Sequence, residues 1–178
     1  SFLSQVLCGK TWLDDRLLVI YSANWIYRDG RGRLLEGEAD FTIVVPQGGI
    51  FTVEVKGGGV SFDAGTGRWS SLDRNRVAHE IKDPFRQASN ERHAIKDQLL
   101  GPPSWRRWRG TRLSLGHAVM LPDIQDARPI LGPDRQRDFI GIDTDMLALV
   151  PWLTRLRAFW WREGDDALGA HGVQLVEE

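Results

Sequence analysis

Hydrophobic and polar positions alternate in blocks along the chain, and the spacing within each block predicts a helix or a strand. Residues 2–13 place several apolar side chains on one helical face, whereas the next blocks are rich in β-branched and aromatic residues, as strands are. The turn Gln47-Gly48-Gly49 joins two of these blocks and predicts a hairpin. The predicted elements are, in order, a helix at 2–13, strands at 17–27, 40–46 and 50–56, a small hairpin between 60 and 71, a helix from 84 to 100, strands at 113–121 and 138–142, and a last helix that Pro151 opens.

This succession of elements predicts an α/β fold in which a central mixed β-sheet is flanked by helices. A chain of 178 residues can enclose one hydrophobic core, so we expect a single domain over residues 1–178. The composition, 42% hydrophobic and 26% charged, is ordinary for a globular protein and argues against a disordered or fibrous one. Because the first residue is Ser1 rather than Met, we expect the sequence to be a fragment of a longer chain.

The number of cysteines and the hydropathy of the chain indicate where in the cell the protein is expected. The lone Cys8 cannot form an internal disulfide, so a disulfide framework of the secreted kind is excluded and a reducing cytoplasm is the expected location. No uninterrupted apolar run is long enough to span a bilayer, and the amino-terminal residues lack the pattern of a signal peptide, so we expect no membrane association. The net charge of -1 neither favours nor excludes a nucleic-acid partner, since a neutral protein can carry a basic groove.

The predicted hairpin brings three acidic residues and a lysine together. Glu38 and Asp40 lie where its first strand begins, and Glu54 and Lys56 lie where its second strand ends. Because the two strands run antiparallel, the start of one lies beside the end of the other. Side chains two residues apart share a face of a strand, so Glu54 and Lys56 point to the same side. Glu54 is flanked by apolar residues, where a carboxylate is costly unless it is paired or binds a metal.

Phosphodiester hydrolysis would explain a carboxylate in such surroundings. Carboxylate oxygens suit Mg²⁺ or Mn²⁺, and the metal can polarise a phosphoryl oxygen and lower the pKa of a bound water. Asp40 and Glu54 are the expected ligands. Lys56 can stabilise negative charge in the transition state or assist deprotonation of the nucleophile. The alternative is structural, because a Glu-x-Lys sequence also forms simple salt bridges in strands.

Several short motifs in this region resemble those of the nuclease-related domain, or NERD, family. They occur in the family's order between residues 17 and 100 and comprise Gly37-Glu38-Ala39-Asp40-Phe41, Glu54-Val55-Lys56-Gly57-Gly58, Trp69 and Pro84-Phe85-Arg86-Gln87-Ala88. The resemblance implies the restriction-endonuclease-like α/β core of the PD-(D/E)XK superfamily. It implies Asp40 and Glu54 as metal ligands, Lys56 as the catalytic lysine, Gln87 as a helix residue that faces the site, and the Val55 carbonyl as a further ligand. We expect Glu38 to assist.

The superfamily usually carries an acidic residue on its first core helix, and this chain departs from that pattern. Residues 1–13 contain no acid, and Gln5 is the nearest polar candidate. Either the acid lies upstream of Ser1 in a longer chain or the protein lacks it, and its absence would weaken metal binding. A catalytically inactive nucleic-acid-binding or regulatory module of the same fold is therefore the alternative function. The motif-bearing core spans about 17–121, and residues 122–178 form a carboxy-terminal extension with a strand and a helix.

A basic segment lies between residues 86 and 112, where seven Lys or Arg residues stand against two acidic ones. Within it, Arg106, Arg107 and Arg109 surround Trp108, and such a combination can follow phosphates and stack the bases of a nucleic-acid strand. The alternative is a solvated loop whose tryptophans anchor it to the core. In that case the substrate path is expected near another basic group, which comprises Arg74, Arg76 and Lys82.

These features together predict a Mg²⁺- or Mn²⁺-dependent nuclease domain that hydrolyses the phosphodiester bonds of DNA. The family resemblance also implies frequent fusion to a helicase or a kinase-like module in the full-length protein. A third possibility, a protein-interaction domain of a larger enzyme, rests on the Trp-rich last helix. Metal binding distinguishes the first of these functions from the others.

Overall fold

Two β-sheets and four α-helices make up the part of the chain that the computed structural model describes, residues 11–12, 17–28, 32–100, 102–108 and 112–177. The strands are β1 (Thr11–Trp12), β2 (Leu18–Arg28), β3 (Leu34–Val45), β4 (Gly49–Val55), β5 (Gly59–Asp63), β6 (Arg68–Leu72), β7 (Ala78–Ile81), β8 (Leu115–Met120) and β9 (Ile140–Gly141). The helices are α1 (Pro84–Leu100), α2 (Asp143–Leu147), α3 (Leu149–Trp160) and α4 (Gly169–Glu177). Three short 3-10 segments lie at Pro103–Trp108, Arg128–Ile130 and Arg137–Phe139.

The main sheet is mixed and has the strand order β1-β2-β3-β4-β8-β9. Strands β1 to β4 pair antiparallel, whereas β8 lies parallel to β4 and β9 lies parallel to β8. A parallel step requires a crossover connection, and the small sheet β5-β6-β7 together with α1 provides it. Helix α1 packs against β2, β4 and β8, and α3 packs against β8. This architecture confirms the predicted α/β fold, a restriction-endonuclease-like core with a central mixed sheet flanked by helices.

Helix α1 is fixed at its start and along its length. The carboxylate of Asp83 accepts hydrogen bonds from the backbone N–H groups of Phe85 and Arg86, at 2.9 Å and 3.1 Å, and so caps the helix. Further along, the hydroxyl of Thr52 in β4 donates to the backbone carbonyl of Ala88 at 3.1 Å, and both residues are buried. Six of the seven residues of β4 are buried, as expected for a central strand covered on both faces.

The amino-terminal part of the main sheet differs from the sequence-based expectation in two ways. Thr11–Trp12 forms a short strand paired with β2, where we expected the end of a helix, and the rest of the predicted helix lies outside the described residues. Strand β3 begins at Leu34 rather than at Asp40, because its first half pairs with β2 alone before β4 joins it. Glu38 and Asp40 therefore lie within a long strand and not at its entry.

The remaining differences concern the crossover and the carboxy-terminal extension. The predicted small hairpin has a third strand, β7, and the predicted strand at 138–142 is reduced to β9 because its first residues form a 3-10 turn. Helices α2 and α4 were not predicted. The apolar stripe of α3 is core, as expected, and Trp152 and Leu156 on it are fully buried. Among the described residues, no helix is long and apolar enough to cross a membrane.

Candidate active site

The register of β3 and β4 places Asp40 and Glu54 on the same face of the main sheet. Thr42 pairs with Thr52, and Asp40 and Glu54 each lie two residues further out along their strands. Because directly opposed residues of antiparallel strands point to the same side, and every second residue shares a face, all four side chains lie on one face. Helix α1 covers this face, since Thr52 is bonded to Ala88.

Asp40 is half-buried where the pairing of β3 with its neighbours opens. Its carboxylate accepts a hydrogen bond of 2.8 Å from the backbone N–H of Val55. On the other side, Ser22 lies opposite Asp40 with a left-handed φ of 57°, and the regular pairing of β2 with β3 is interrupted there. The N–H and carbonyl of one strand residue point to the same side, so the Val55 carbonyl also faces β3. The Asp40 carboxylate and the Val55 carbonyl, which are both expected metal ligands, therefore lie at one opening in the sheet.

Glu54 carries its carboxylate in the core. The residue is only 3% exposed, and its Oε1 forms an ion pair with Nζ of Lys56, whose side chain is partly exposed. The pair shows that both side chains point to the same side of β4, as the Glu-x-Lys spacing predicts. It fits a catalytic pair and a structural salt bridge equally well, so the choice between them depends on the neighbouring residues.

A third carboxylate, which was not predicted from the sequence, completes the group. Glu91 on α1 is 4% exposed, and its carboxyl group is hydrogen-bonded to that of Glu54. Burial, this hydrogen bond and repulsion from Glu54 and Asp40 raise the pKa of Glu91 to about 9, although Lys56 opposes the shift. A signal was available, because Glu91 interrupts the apolar face that other α1 residues form at helical spacing.

The acids also affect one another electrostatically. Burial raises the pKa of the Asp40 carboxyl above its ordinary value, the Val55 N–H lowers it, and the nearby charge of Glu54 raises it again. The positive charge of Lys56 lowers the pKa of Asp40, and the charge of Glu38 raises it weakly. Glu38 itself is exposed, and its carboxylate accepts a hydrogen bond from the hydroxyl of Ser22. The negative charges therefore repel one another, and a cation among them would relieve that repulsion.

Two buried oxygens of α1 lack a hydrogen-bond partner within the described part of the chain. They are Oε1 of Gln87 and Oε2 of Glu91, and the two residues are one helical turn apart on the same face. Within the described ranges, no group of three or more His, Cys, Asp or Glu side chains is arranged to hold a metal ion. Mg²⁺ nevertheless takes only one or two protein carboxylates in many sites and keeps several waters. The all-oxygen set of Asp40 and Glu54, with these unpartnered oxygens nearby, fits such a hard cation.

Comparison with known proteins identifies the family. The family model described as the nuclease-related domain matches residues 12–122, more than half of the chain. The chain belongs to the NERD family. No curated protein and no solved structure matches it. The NERD match contains every residue of the acidic group and ends just after β8, so β9 and the helices that follow lie outside it.

Two motif residues outside the acidic group, Trp69 and Gly58, are structural parts of the NERD domain. Trp69 is buried, with ring centroids 4.8 Å from Phe62 and 5.4 Å from Phe85, and it thereby ties the small sheet to α1. At Gly58, which follows β4, φ is 84°, and an added Cβ would lie 2.4 Å from the hydroxyl of Ser71. Only glycine fits at this position, where the chain that follows β4 passes close to Ser71 of β6.

The position of Trp108 in the basic segment of the NERD domain contradicts the base-stacking role that we expected for it, because its side chain is buried. Its ring is 1% exposed and lies 4.9 Å from that of Trp105, in the core beside Val44, so neither face is open to a base. Arg106 and Arg107 are exposed, and Arg107 lies over the Trp108 ring at 5.3 Å. Arg109 lies outside the described residues. The tryptophans therefore anchor this segment to the core, as the alternative interpretation expected.

Other charges of the same segment are also engaged within the fold. Arg92 is half-buried over the Trp160 ring at 5.0 Å, and Arg112 forms an ion pair with Asp165 at 3.5 Å. The cluster that contains Trp108 includes Val44, which is four residues from Asp40 along β3, so it lies about 13 Å from the acidic group at 3.3 Å per residue. The part of the basic segment that contains Trp108 therefore lies toward the far end of the sheet from the acids, whereas Arg86 and Arg92 lie on α1 near Glu91.

Proposed function

We propose that this NERD domain is a divalent-metal-dependent hydrolase that cleaves the phosphodiester bonds of DNA. The family indicates a nuclease-related function, and one observation supports the finer proposal. Asp40, Glu54 and Lys56 meet on a single face of the sheet, with a third carboxylate, that of Glu91, against them. Buried acids in contact destabilise a fold unless something compensates for them, so their convergence favours a functional role.

Each residue of the group has a defined part in the proposal. Asp40 and Glu54 hold Mg²⁺ or Mn²⁺, and the Val55 carbonyl adds a backbone oxygen from the same opening in the sheet. A cation there would polarise the phosphoryl oxygen and make a coordinated water more acidic. Lys56 stabilises the negative charge that develops on the phosphoryl group, which it can do because its amino group lies at the edge of the site. Gln87 and Glu38 are proposed to orient water or substrate.

The substrate also needs a cationic path, because acids alone repel a polyanion. Lys82 and Arg86 line a cavity of about 310 Å³ together with Gln87. Both are exposed, and within the described residues neither forms an ion pair. Since Gln87 shares its helix face with Glu91, this cavity adjoins the acidic group. We propose Lys82 and Arg86 as the near contacts of the DNA, with Arg106 and Arg107 as remote contacts.

A cleavage assay with and without divalent ions tests the proposal. Single- and double-stranded DNA are incubated with Mg²⁺ or Mn²⁺, and the Lys56→Ala variant is compared with Lys96→Ala, which removes an exposed lysine of α1. We expect Lys56→Ala to lower the rate about 100-fold or more, as the loss of a transition-state charge contact does, and Lys96→Ala to leave it unchanged. Wild-type protein that cleaves neither DNA with either ion contradicts the proposal.

A catalytically inactive DNA-binding or regulatory module is the second candidate. In such a module the Lys56–Glu54 ion pair is a structural salt bridge. Such a module would bind DNA without cleaving it, and Lys56→Ala would lower its thermal stability without removing an activity. Fusion to a helicase and a cytoplasmic location belong to the leading proposal as further expectations.

A further inference from the structure

We propose that Glu91 is a positioning residue of the metal site, which holds the Glu54 carboxylate in place from α1. This inference rests on the proposed metal-dependent function and adds a residue to it. Glu54 is engaged from two sides, by Lys56 on its own strand and by Glu91 on the helix above. A carboxylate held in this way has little rotational freedom, so a ligand oxygen is directed before the cation arrives.

The helix that carries Glu91 is itself fixed against the strand that carries Glu54. The hydrogen bond from Thr52 to Ala88 joins β4 and α1 within one turn of Glu91. Asp83 caps the start of the same helix. These contacts hold α1 against β4, so the contact between the two carboxyl groups follows from the packing of the helix on the strand.

Packing alone does not account for a glutamate at this position. Glu91 is 4% exposed, and its Oε2 has no hydrogen-bond partner within the described residues. An unpartnered buried polar atom costs stability that an apolar side chain of the same size would recover. The unpartnered oxygen belongs to Glu91, which contacts Glu54. Asp40 and Lys56 are also close enough to influence the Glu91 carboxyl group electrostatically.

Glu91 adds a carboxyl group from α1 to the face that carries Asp40 and Glu54. Residues 1–13 contain no acidic residue, so a helix formed there could not contribute a carboxylate to the site.

Titration of the DNA-free protein with Mn²⁺ by calorimetry, together with thermal unfolding, tests this role. Glu91→Met removes the carboxyl group at nearly constant length, Glu91→Gln keeps a hydrogen-bond donor for Glu54, and Asp97→Asn is the control, an exposed acid on the same helix. We expect Glu91→Met to weaken Mn²⁺ binding about 10- to 100-fold, which is the usual effect of losing a residue that supports a metal ligand. Its melting temperature should equal or exceed that of the wild type. Glu91→Gln should stay within about threefold of wild type, and Asp97→Asn should be unchanged.

Several results would overturn the assignment. Unchanged Mn²⁺ affinity in Glu91→Met would show that Glu54 needs no support from α1. Equal losses in Glu91→Met and Glu91→Gln would show that the carboxyl group of Glu91 acts on the cation directly and that its support of Glu54 does not matter. A lower melting temperature with unchanged affinity would assign a structural role. If the wild type binds no Mn²⁺, the metal-dependent function fails and this role fails with it, whereas the first three results leave that function intact.

Discussion

Removing two cations at a time identifies the surface that holds the DNA. The perturbation is Lys82→Ala with Arg86→Ala, compared with Arg106→Ala plus Arg107→Ala at the other end of the sheet. The first pair lines the cavity beside Gln87, whereas the second pair belongs to the segment whose cluster lies about 13 Å from Asp40 along β3. Since a duplex rises 3.4 Å per base pair on each strand, about four base pairs separate that segment from the acids.

The expected magnitude follows from how many phosphates each variant no longer neutralises. Each neutralised phosphate contributes about 0.9 to the slope of log affinity against log salt for a duplex and about 0.7 for a single strand. If Lys82 and Arg86 each contact one phosphate, their joint replacement lowers the slope by about 1.8 for a duplex and about 1.4 for a single strand. Replacement of Arg106 and Arg107 should change the slope only on DNA that extends more than about four base pairs beyond the acids.

Fluorescence anisotropy of labelled DNA, measured with EDTA at several salt concentrations, gives these slopes without cleavage. Short and long duplexes are compared, and Lys96→Ala with Arg162→Ala serves as a control that removes two exposed cations elsewhere. The reasoning is refuted if Lys82→Ala with Arg86→Ala binds a short duplex with the wild-type slope. If the Arg106 and Arg107 pair flattens the slope on that same short duplex, the DNA lies at the far end of the sheet.

Two further predictions concern the charges that the fold buries. Glu54→Ala should abolish cleavage and leave the metal-free melting temperature equal or higher, because it removes a buried acid that contacts Glu91; a lower melting temperature would indicate a structural salt bridge. Burial, with smaller effects from Arg92 and His93, lowers the pKa of His117 to about 3. Below pH 6.5 the unfolded chain therefore binds a proton that the native protein does not, and the free energy of unfolding should fall by about 1.4 kcal/mol per pH unit. Urea unfolding of His117→Phe at pH 6.5 and pH 5 should show about 2 kcal/mol less acid sensitivity than the wild type, and equal sensitivity would contradict the assignment.

The acidic group of β3 and β4 could be predicted from local sequence because its geometry is local. A tight turn sets the antiparallel register, and alternation along a strand then decides which side chains share a face. Asp40, Glu54 and Lys56 were therefore placed together correctly, although β3 proved longer than expected. The helix that starts at Pro84 was also predicted, since its cap and its apolar spacing are encoded within one short segment.

Only the tertiary structure decided which of the remaining charged and aromatic residues are buried. The spacing of Glu91 on the apolar face of α1 indicates burial, but only the packing of α1 on β4 shows that it lies against Glu54. Trp108 lies among arginines in the sequence, and it is buried because the 3-10 segment folds onto the end of the sheet beside Val44. The physical reason is the same in both cases. Periodicity shows which face of an element a side chain occupies, whereas burial depends on a neighbour that is distant in sequence.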